Sequence, residues 1–387
     1  MRTYIPFNRV SLGDEEKAAV LRALEEGALG GNGPIGAQVQ ARLRTLLGVR
    51  YALLTTSCSH ALEMAAMALR LGPGDEVIMP SFTFVTTASS VVRQGARPVF
   101  VDIDEQTYNL DPEQVERHIT PATRAILPVH YAGQGCEMNA IIDIARRHRL
   151  YVIEDAAQGI GARYGGCYLG AIGDIGCFSF HVTKNIIGGE GGAFVTNDDE
   201  IAERAEIIRE KGTNRSKYLR GEVDKYTWVD VGSSFVPSDL IAAVILAQLD
   251  KMEQIHRLRK AIWQRYQESL RDLACRGDII LPYVRPEAEI NWHIYAFRVS
   301  DPKRRDLVLD ELKRRGIGAT FHFVPLHSSP YARARWGYRA EDLPVTERVA
   351  ASLIRLPVYP DLTQGEQEYI IESIYDIFAA SSGLAHS

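Results

Sequence analysis

Over its first half this chain places hydrophobic residues in short unbroken runs rather than in strict alternation. The runs are YALLTTS (51–57), EVIMPSF (76–82), RPVFVDID (97–104), RAILPVHY (124–131), LYVIEDA (150–156), IGCFSFH (175–181) and GGAFVTN (191–197). Continuous apolar runs of this length predict strands covered on both faces. Between several of them the period becomes helical, in SHALEMAAMALRLG, ended by Gly72-Pro73-Gly74, and in EMNAIIDIARRHR. The alternation predicts an α/β domain with a mostly parallel sheet.

After about residue 240 the pattern changes to long charged helices, IAAVILAQLDKMEQIHRLRKAIWQRYQESL. A small mixed region with IYAFRVS and DELKRRGIGATFHF and a closing helix follow. A chain of 387 residues exceeds one comfortable core, so two domains are expected. They are 1–249, with an N-terminal arm, and 250–387; the tail SSGLAHS is expected to fray.

Composition adds exclusions. Hydrophobic content of 46% with 24% charged residues is that of an ordinary soluble enzyme. A net charge of −5, from 44 basic against 49 acidic residues, gives no support to nucleic-acid binding. The five cysteines, at 58, 136, 167, 177 and 275, are odd in number and form no C-x-x-C pair. Reduced thiols in a cytoplasmic protein are expected, not disulfides or a metal site. MRTYIPFNRV lacks the apolar core of a signal peptide, and the longest apolar run is too short to span a bilayer. Neither a membrane nor a nucleic acid is expected as partner.

Open parallel sheets bind ligands beyond the carboxyl ends of their strands. The residues closing each run carry most of the polar chemistry: Thr56 to Ser59, Ser81 to Phe84, His130-Tyr131, Glu154-Asp155 with Gln158, and Ser179 to Lys184. In FSFHVTKNIIGGEGGAF, Lys184 stands alone between an apolar run and a glycine-rich patch. A lysine withdrawn from water has a lowered pKa and acts as an amine nucleophile; a surface loop lysine is the bland alternative. Asp155 ends a run that should be buried, so it needs a cationic partner or backbone amides. The pair meets the needs of pyridoxal phosphate: a lysine to form the Schiff base and a carboxylate to keep the ring nitrogen protonated. TTSCSHALEMAAMAL offers a Ser-rich turn before a helix as a phosphate seat, or plain N-capping by Ser57 or Ser59. Ser179 can add a hydroxyl, Phe82 or Phe84 a ring face, and Gln158 a donor to the ring oxygen, though either aromatic can be core and Gln158 a cap.

Gly31 to Gly36 formally reads G-x-G-x-x-G, but EEKAAVLRALEEGALG before it is helical in pattern and no suitable acid follows. A flexible loop is expected there, not a dinucleotide site, and the glycines at 188–192 lack the G-K-[ST] of a P-loop. From Arg209 to Lys225 six basic residues stand against three acids, with Tyr218, Tyr226 and Trp228 in or beside the stretch. That loop suits a nucleotide's phosphates and base, with Arg215 and Lys217 as candidate contacts, or is a solvated charged surface. His322 and His327, in FHFVPLH, face the cleft or are structural.

Taken in order, IPFNR, GDEVIMPSFTFVTTA, VFVDID, VHYAG, VIEDAAQ, FSFHVTKN, GEGGAF and FVPLH resemble the DegT/DnrJ/EryC1/StrS sugar aminotransferases over nearly the whole chain. The resemblance implies a fold type I pyridoxal-phosphate-dependent transferase, like aspartate aminotransferase, with a mostly parallel seven-stranded sheet and a smaller C-terminal α/β domain. Position by position it makes Lys184 the Schiff-base lysine and Asp155 the partner of the pyridinium. Gln158 then contacts the ring oxygen, Phe84 stacks on the ring, and Cys58 (through its backbone), Ser59 and Ser179 hold the phosphate. Many members read Gly-Thr where this chain has Cys58-Ser59. Where many have G-Y-N-Y, whose Asn reaches the partner subunit's phosphate, this chain reads Gly232-Ser233-Ser234-Phe235, with Ser234 as substitute. Family dehydratases carry a histidine in place of the lysine, so Lys184 favours transamination. HYAGQGCEMNAI, EIIREKGTNRSKYLRGEVDKYTW and DVGSS imply a dTDP-linked 4-keto-6-deoxy sugar as acceptor, with L-glutamate as donor and a homodimer with shared sites. Another nucleotide sugar, a non-catalytic regulator of the same fold and an NAD-linked oxidoreductase are the alternatives.

Overall fold

Each of the seven apolar runs contains a strand in the computed structural model, which describes residues 4–27 and 29–382. They are β1 (Tyr51–Thr55), β2 (Glu76–Pro80), β3 (Arg97–Val101), β4 (Thr123–Ile126) and β5 (Tyr151–Asp155), then, after a short hairpin of β6 (Arg163–Tyr164) and β7 (Cys167–Tyr168), β8 (Ile175–Ser179) and β9 (Gly192–Thr196). The sheet order is β1-β9-β8-β5-β4-β2-β3, and only β9 runs antiparallel to its neighbours. β8 is buried at every position, which is why it reads as an unbroken apolar run.

Ten helices cover the sheet and lead out of it: α1 (Asp14–Glu25), α2 (Pro34–Leu47), α3 (Cys58–Ala68), α4 (Val85–Val92), α5 (Pro112–Arg117), α6 (Met138–His148), α7 (Asp199–Arg209), α8 (Arg215–Leu219), α9 (Asp239–Asp250) and α10 (Met252–Ser269). α6 shows the logic, burying Met138, Ile141, Ile144 and Ala145 at three- and four-residue spacing. The long helical stretch expected from 241 onward breaks at Lys251, between α9 and α10. The G-x-G-x-x-G segment is only partly loop: Pro34 opens α2, and the Asp239 carboxylate accepts from the Ile35 and Gly36 N–H groups at 3.0 Å each. A protein carboxylate thus takes the amides that a pyrophosphate would need.

A second sheet, β10 (Ile279–Ile280), β12 (Tyr295–Val299) and β13 (Leu353–Leu356), has its own core of Tyr266, Tyr295, Phe297, Ile354, Ile370 and Phe378. The two-residue β11 (Ala288–Glu289) pairs instead with β6. The N-terminal arm reaches this second core, where Ile5 is buried and donates to the Gly316 carbonyl at 2.9 Å. Polar pins fasten the sheets together: Asp102 accepts from the Val345 and Thr346 amides, and Glu105 meets both Arg298 and Arg348. The closing helix ends at Ser382; the fraying expected of the tail concerns residues outside the described ones. Among the described residues no helix is long and apolar enough to cross a membrane, and no group of three or more His, Cys, Asp or Glu is placed to hold a metal ion.

Candidate active site

Lys184 lies in the connection between β8 and β9, which folds as a long hairpin. Phe180 donates to the Gly191 carbonyl at 2.8 Å, Val182 to Gly189 at 3.0 Å, and Lys184 N–H to His181 at 2.9 Å. Gly189 and Gly191 adopt φ of 86° and 144°, which a side-chain-bearing residue would strain to reach. The glycines do not all serve a ligand. A Cβ on Gly188 would come within 2.7 Å of Ile245 on α9, so this glycine lets loop and helix approach. The Lys184 side chain is partly buried, and burial pushes its pKa below the usual lysine range while the Asp155 charge opposes the shift.

Asp155 closes β5 beneath that loop and is 5% exposed. Its Oδ2 accepts from Thr87 Oγ1 on α4 at 2.8 Å, and its Oδ1 from the Ala157 N–H at 3.1 Å. Burial raises its pKa against those two donors and the Lys184 charge. A carboxylate so enclosed is stabilised by a cation opposite it. Cys58 feels both charges, and burial holds its thiol well above the usual range. The start of α3, the end of β5 and the β8–β9 loop therefore converge.

The start of α3 is a ready anion seat. Ser57 caps it by accepting from His60 N–H at 3.1 Å, which leaves the Cys58 and Ser59 amides without helical acceptors. Ser179 ends β8 opposite Gly192, and Gly192 is opposite Thr55 on β1. A Cβ on Gly192 would stand 2.4 Å from the Ser57 carbonyl carbon and 2.5 Å from Cys58 N, so bare backbone brings the helix start against the strand that carries Ser179. These residues fit pyridoxal phosphate: phosphate at the α3 turn, aldehyde carbon at Lys184, ring nitrogen at Asp155.

The remaining sequence candidates divide. Gln158 is buried, its Oε1 accepts from the Ala132 N–H at 2.7 Å, and its Nε2 has no hydrogen-bond partner among the described residues. Phe82 is core, packed edge-on to Tyr108, Tyr131 and Phe323, whereas Phe84 is 60% exposed and free to cover a ring. Ser234 is exposed beside Phe235, whose carbonyl accepts from Thr56 N–H at 3.0 Å and whose ring meets His60 at 4.7 Å. Arg215 and Lys217 lie on α8, paired with Glu210 at 3.6 Å and Glu203 at 2.5 Å. His322 is in the electrostatic reach of Lys184 and Arg355, and its Nε2 accepts from Arg355 Nη1.

His327 is wholly buried; its Nδ1 faces Ser81 Oγ at 2.7 Å, and its Nε2 lies 3.4 Å from the Ala340 carbonyl oxygen and 3.4 Å from Glu347. Two residues escaped the sequence reading. Thr87 looks like any hydroxyl on a helix. Arg355, a lone cation in the apolar run LIRLPVY, shows the same signal that singled out Lys184.

The family model of the DegT/DnrJ/EryC1/StrS aminotransferases matches residues 10–375. The spore coat polysaccharide biosynthesis protein SpsC of Bacillus subtilis is 34% identical over 381 residues, 97% of either chain. Among solved structures, S. venezuelae DesV is 34% identical with a TM-score of 0.88, over 97% of this chain and 98% of that one. A Streptococcus pneumoniae sugar aminotransferase solved in its PLP form is 26% identical with a TM-score of 0.89, over 97% and 98% of the two chains. The chain belongs to the DegT/DnrJ/EryC1/StrS family and is a pyridoxal-phosphate-dependent sugar aminotransferase.

Proposed function

We propose that this enzyme moves the amino group of L-glutamate to C4 of dTDP-4-keto-6-deoxy-D-glucose, as a dTDP-4-amino-4,6-dideoxygalactose transaminase. The observation that carries the transamination is the partly buried Lys184 amine, its pKa lowered by burial, within electrostatic reach of the enclosed Asp155 carboxylate. When bound, pyridoxal phosphate supplies an aldehyde that takes up the amine and a ring that stabilises negative charge at the carbon losing a proton. Lys184 holds the cofactor at rest; once displaced by the donor, its neutral amine removes and returns that proton. Asp155 keeps the ring nitrogen charged, Thr87 and Ala157 hold Asp155, and the α3 turn with Ser179 anchors the phosphate.

The dTDP-sugar reading is supported by the HYAGQGCEMNAI and DVGSS signatures and by the character of residues 209–235. There Tyr218 and Tyr226 lie 5.8 Å apart and Trp228 is 77% exposed, surfaces suited to a base. Arg215 and Lys217 exchange their carboxylate partners for diphosphate oxygens. Exposed Leu21, Leu24 and Val231 support a homodimer, in which Ser234 reaches the neighbouring subunit's phosphate while Phe84 covers the cofactor ring. Rates on a panel of dTDP- and UDP-keto sugars test the substrate: the dTDP-4-keto sugar is expected to react fastest, and a faster UDP-sugar contradicts the reading. Arg215→Ala with Lys217→Ala should raise the nucleotide-sugar KM about tenfold or more and leave the glutamate KM unchanged; an unaltered sugar KM leaves that loop as mere surface.

A further inference from the structure

A third segment links the loop after β5 to the loop that carries Lys184. It is Asn291 to His293, ahead of β12. Asn291 is 1% exposed, and its Nδ2 donates to the Gln158 carbonyl at 2.8 Å and to the Ile160 carbonyl at 2.9 Å. Its own carbonyl accepts from Asn185 Nδ2 at 2.8 Å, and Asn185 directly follows Lys184. The other end of that amide, Asn185 Oδ1, stands 2.9 Å from His293 Nδ1. An amide oxygen only accepts, so Nδ1 carries the proton and the Asn185 side chain is fixed at both ends. Burial, followed by the Lys184 charge, keeps the His293 ring neutral. The segment is strained where it makes these contacts. Trp292 holds a φ of 53°, which a bulky residue keeps only when its surroundings fix it. Arg259 does so by donating to the Trp292 carbonyl at 3.3 Å and the His293 carbonyl at 2.7 Å. Gly133 makes room, since a Cβ there would stand 1.8 Å from Asn291 Oδ1. Gln158 is thus held twice, by Asn291 at its carbonyl and by the Ala132 N–H at its Oε1.

We propose that Asn291 and Asn185 form a clasp that holds the Lys184 loop in register with Gln158, which makes both asparagines positioning residues for the transamination. This rests on the transaminase reading above, in which Lys184 and Gln158 serve adjacent positions of the cofactor ring. Among the described residues no hydrogen bond joins those two side chains, and their loops leave different strands, β8 and β5. The bonds through Asn291 bridge that gap, because one residue binds the main chain of Gln158 and the side chain next to Lys184. Register matters because a misplacement of about 1 Å slows a transfer between positioned groups about a hundredfold. The clasp also keeps the Lys184 loop packed inward. There burial holds the amine below the usual lysine range against the opposing Cys58 and Asp155 groups, with Arg355 adding to the downward shift. Contacts that served stability alone would leave both the amine and the turnover rate unmoved when removed.

The test uses Asn185→Ala, Asn291→Ala and the double variant. In the holoenzyme each should lower kcat about tenfold to a hundredfold, while the KM values for glutamate and keto sugar change less than about threefold. The apoenzyme gives a reading independent of turnover. Acetylation of Lys184 by acetic anhydride at a series of pH values, followed by peptide mapping, should show its midpoint raised by about one pH unit as the released loop takes up water. The double variant should lose no more than about twofold beyond the slower single one, since both side chains act through one contact. A lower Tm with unchanged kcat and unchanged acetylation midpoint in Asn185→Ala overturns the proposal and leaves the contact structural. Losses that multiply in the double variant overturn it too. If Asn291→Ala does not fold, Asn185→Ala decides alone, because it takes away the bonds to Asn291 and His293 and leaves those to Gln158 and Ile160 in place. Failure of borohydride to label wild-type Lys184 defeats the transaminase reading itself; the acetylation midpoint of the apoenzyme is read without it, so the two failures are told apart.

Discussion

At Asp155 the balance of forces is set by a few atoms. Burial drives its carboxyl toward the neutral form, and the Thr87 hydroxyl is the strongest group opposing this. Removing that hydroxyl in Thr87→Val takes away a hydrogen bond to a charged group, about 1.5–3 kcal/mol. Cofactor affinity, read by absorbance titration of the apoenzyme, should weaken about tenfold to a hundredfold. The acid limb of the kcat/KM profile should move to higher pH, because a carboxyl that loses its donor protonates sooner as pH falls. Thr87→Ser should restore both; an unmoved acid limb in Thr87→Val would separate Asp155 from the essential ionisation. Lys184 and Asp155 are legible in the sequence because each is a charge set in an apolar run. Thr87 is not, since its role depends on α4 lying over β5, a contact between residues 68 positions apart.

Among the elements, the sheet is legible because each strand is buried on both faces and bounded by turn residues or a helix start. The reversed direction of β9 is not, since an antiparallel strand buried on both faces has the same apolar run as a parallel one. That reversal makes the Lys184 loop a hairpin and sets Gly192 against the start of α3. Glycine there is required by contact rather than by φ, because a Cβ would strike the Ser57–Cys58 backbone. Gly192→Ala should therefore cost about 1–3 kcal/mol of stability and push the helix start away from Ser179. Thermal melting with and without added phosphate checks this: the variant should melt lower and lose the increase in Tm that phosphate gives the wild type. A variant that melts and binds phosphate like the wild type would show that the turn does not depend on this close approach. The two histidines of FHFVPLH show the opposite limit, because His322 meets Arg355 and His327 meets Ser81, and nothing in their spacing separates the two surroundings.

Across the whole molecule, polar contacts fasten the second sheet to the first. Glu105 is one fastener: Arg348, then Arg298, holds its pKa down to about 2 against burial. A carboxylate with a depressed folded pKa contributes stability above its unfolded value of about 4.5, and loses it as pH falls toward about 2. Glu105→Gln should thus lower Tm at pH 6, and the gap to wild type should close between about pH 4.5 and 2; a gap independent of pH would place the effect elsewhere. Within the first sheet, we propose, packing brings the loop with Lys184, the end of β5 and the α3 turn to one cofactor. Borohydride reduction of the holoenzyme, followed by peptide mapping, tests that convergence directly. The account predicts a phosphopyridoxyl group on Lys184 and on no other lysine; full labelling of a different lysine, or none while the visible absorbance is intact, would contradict it.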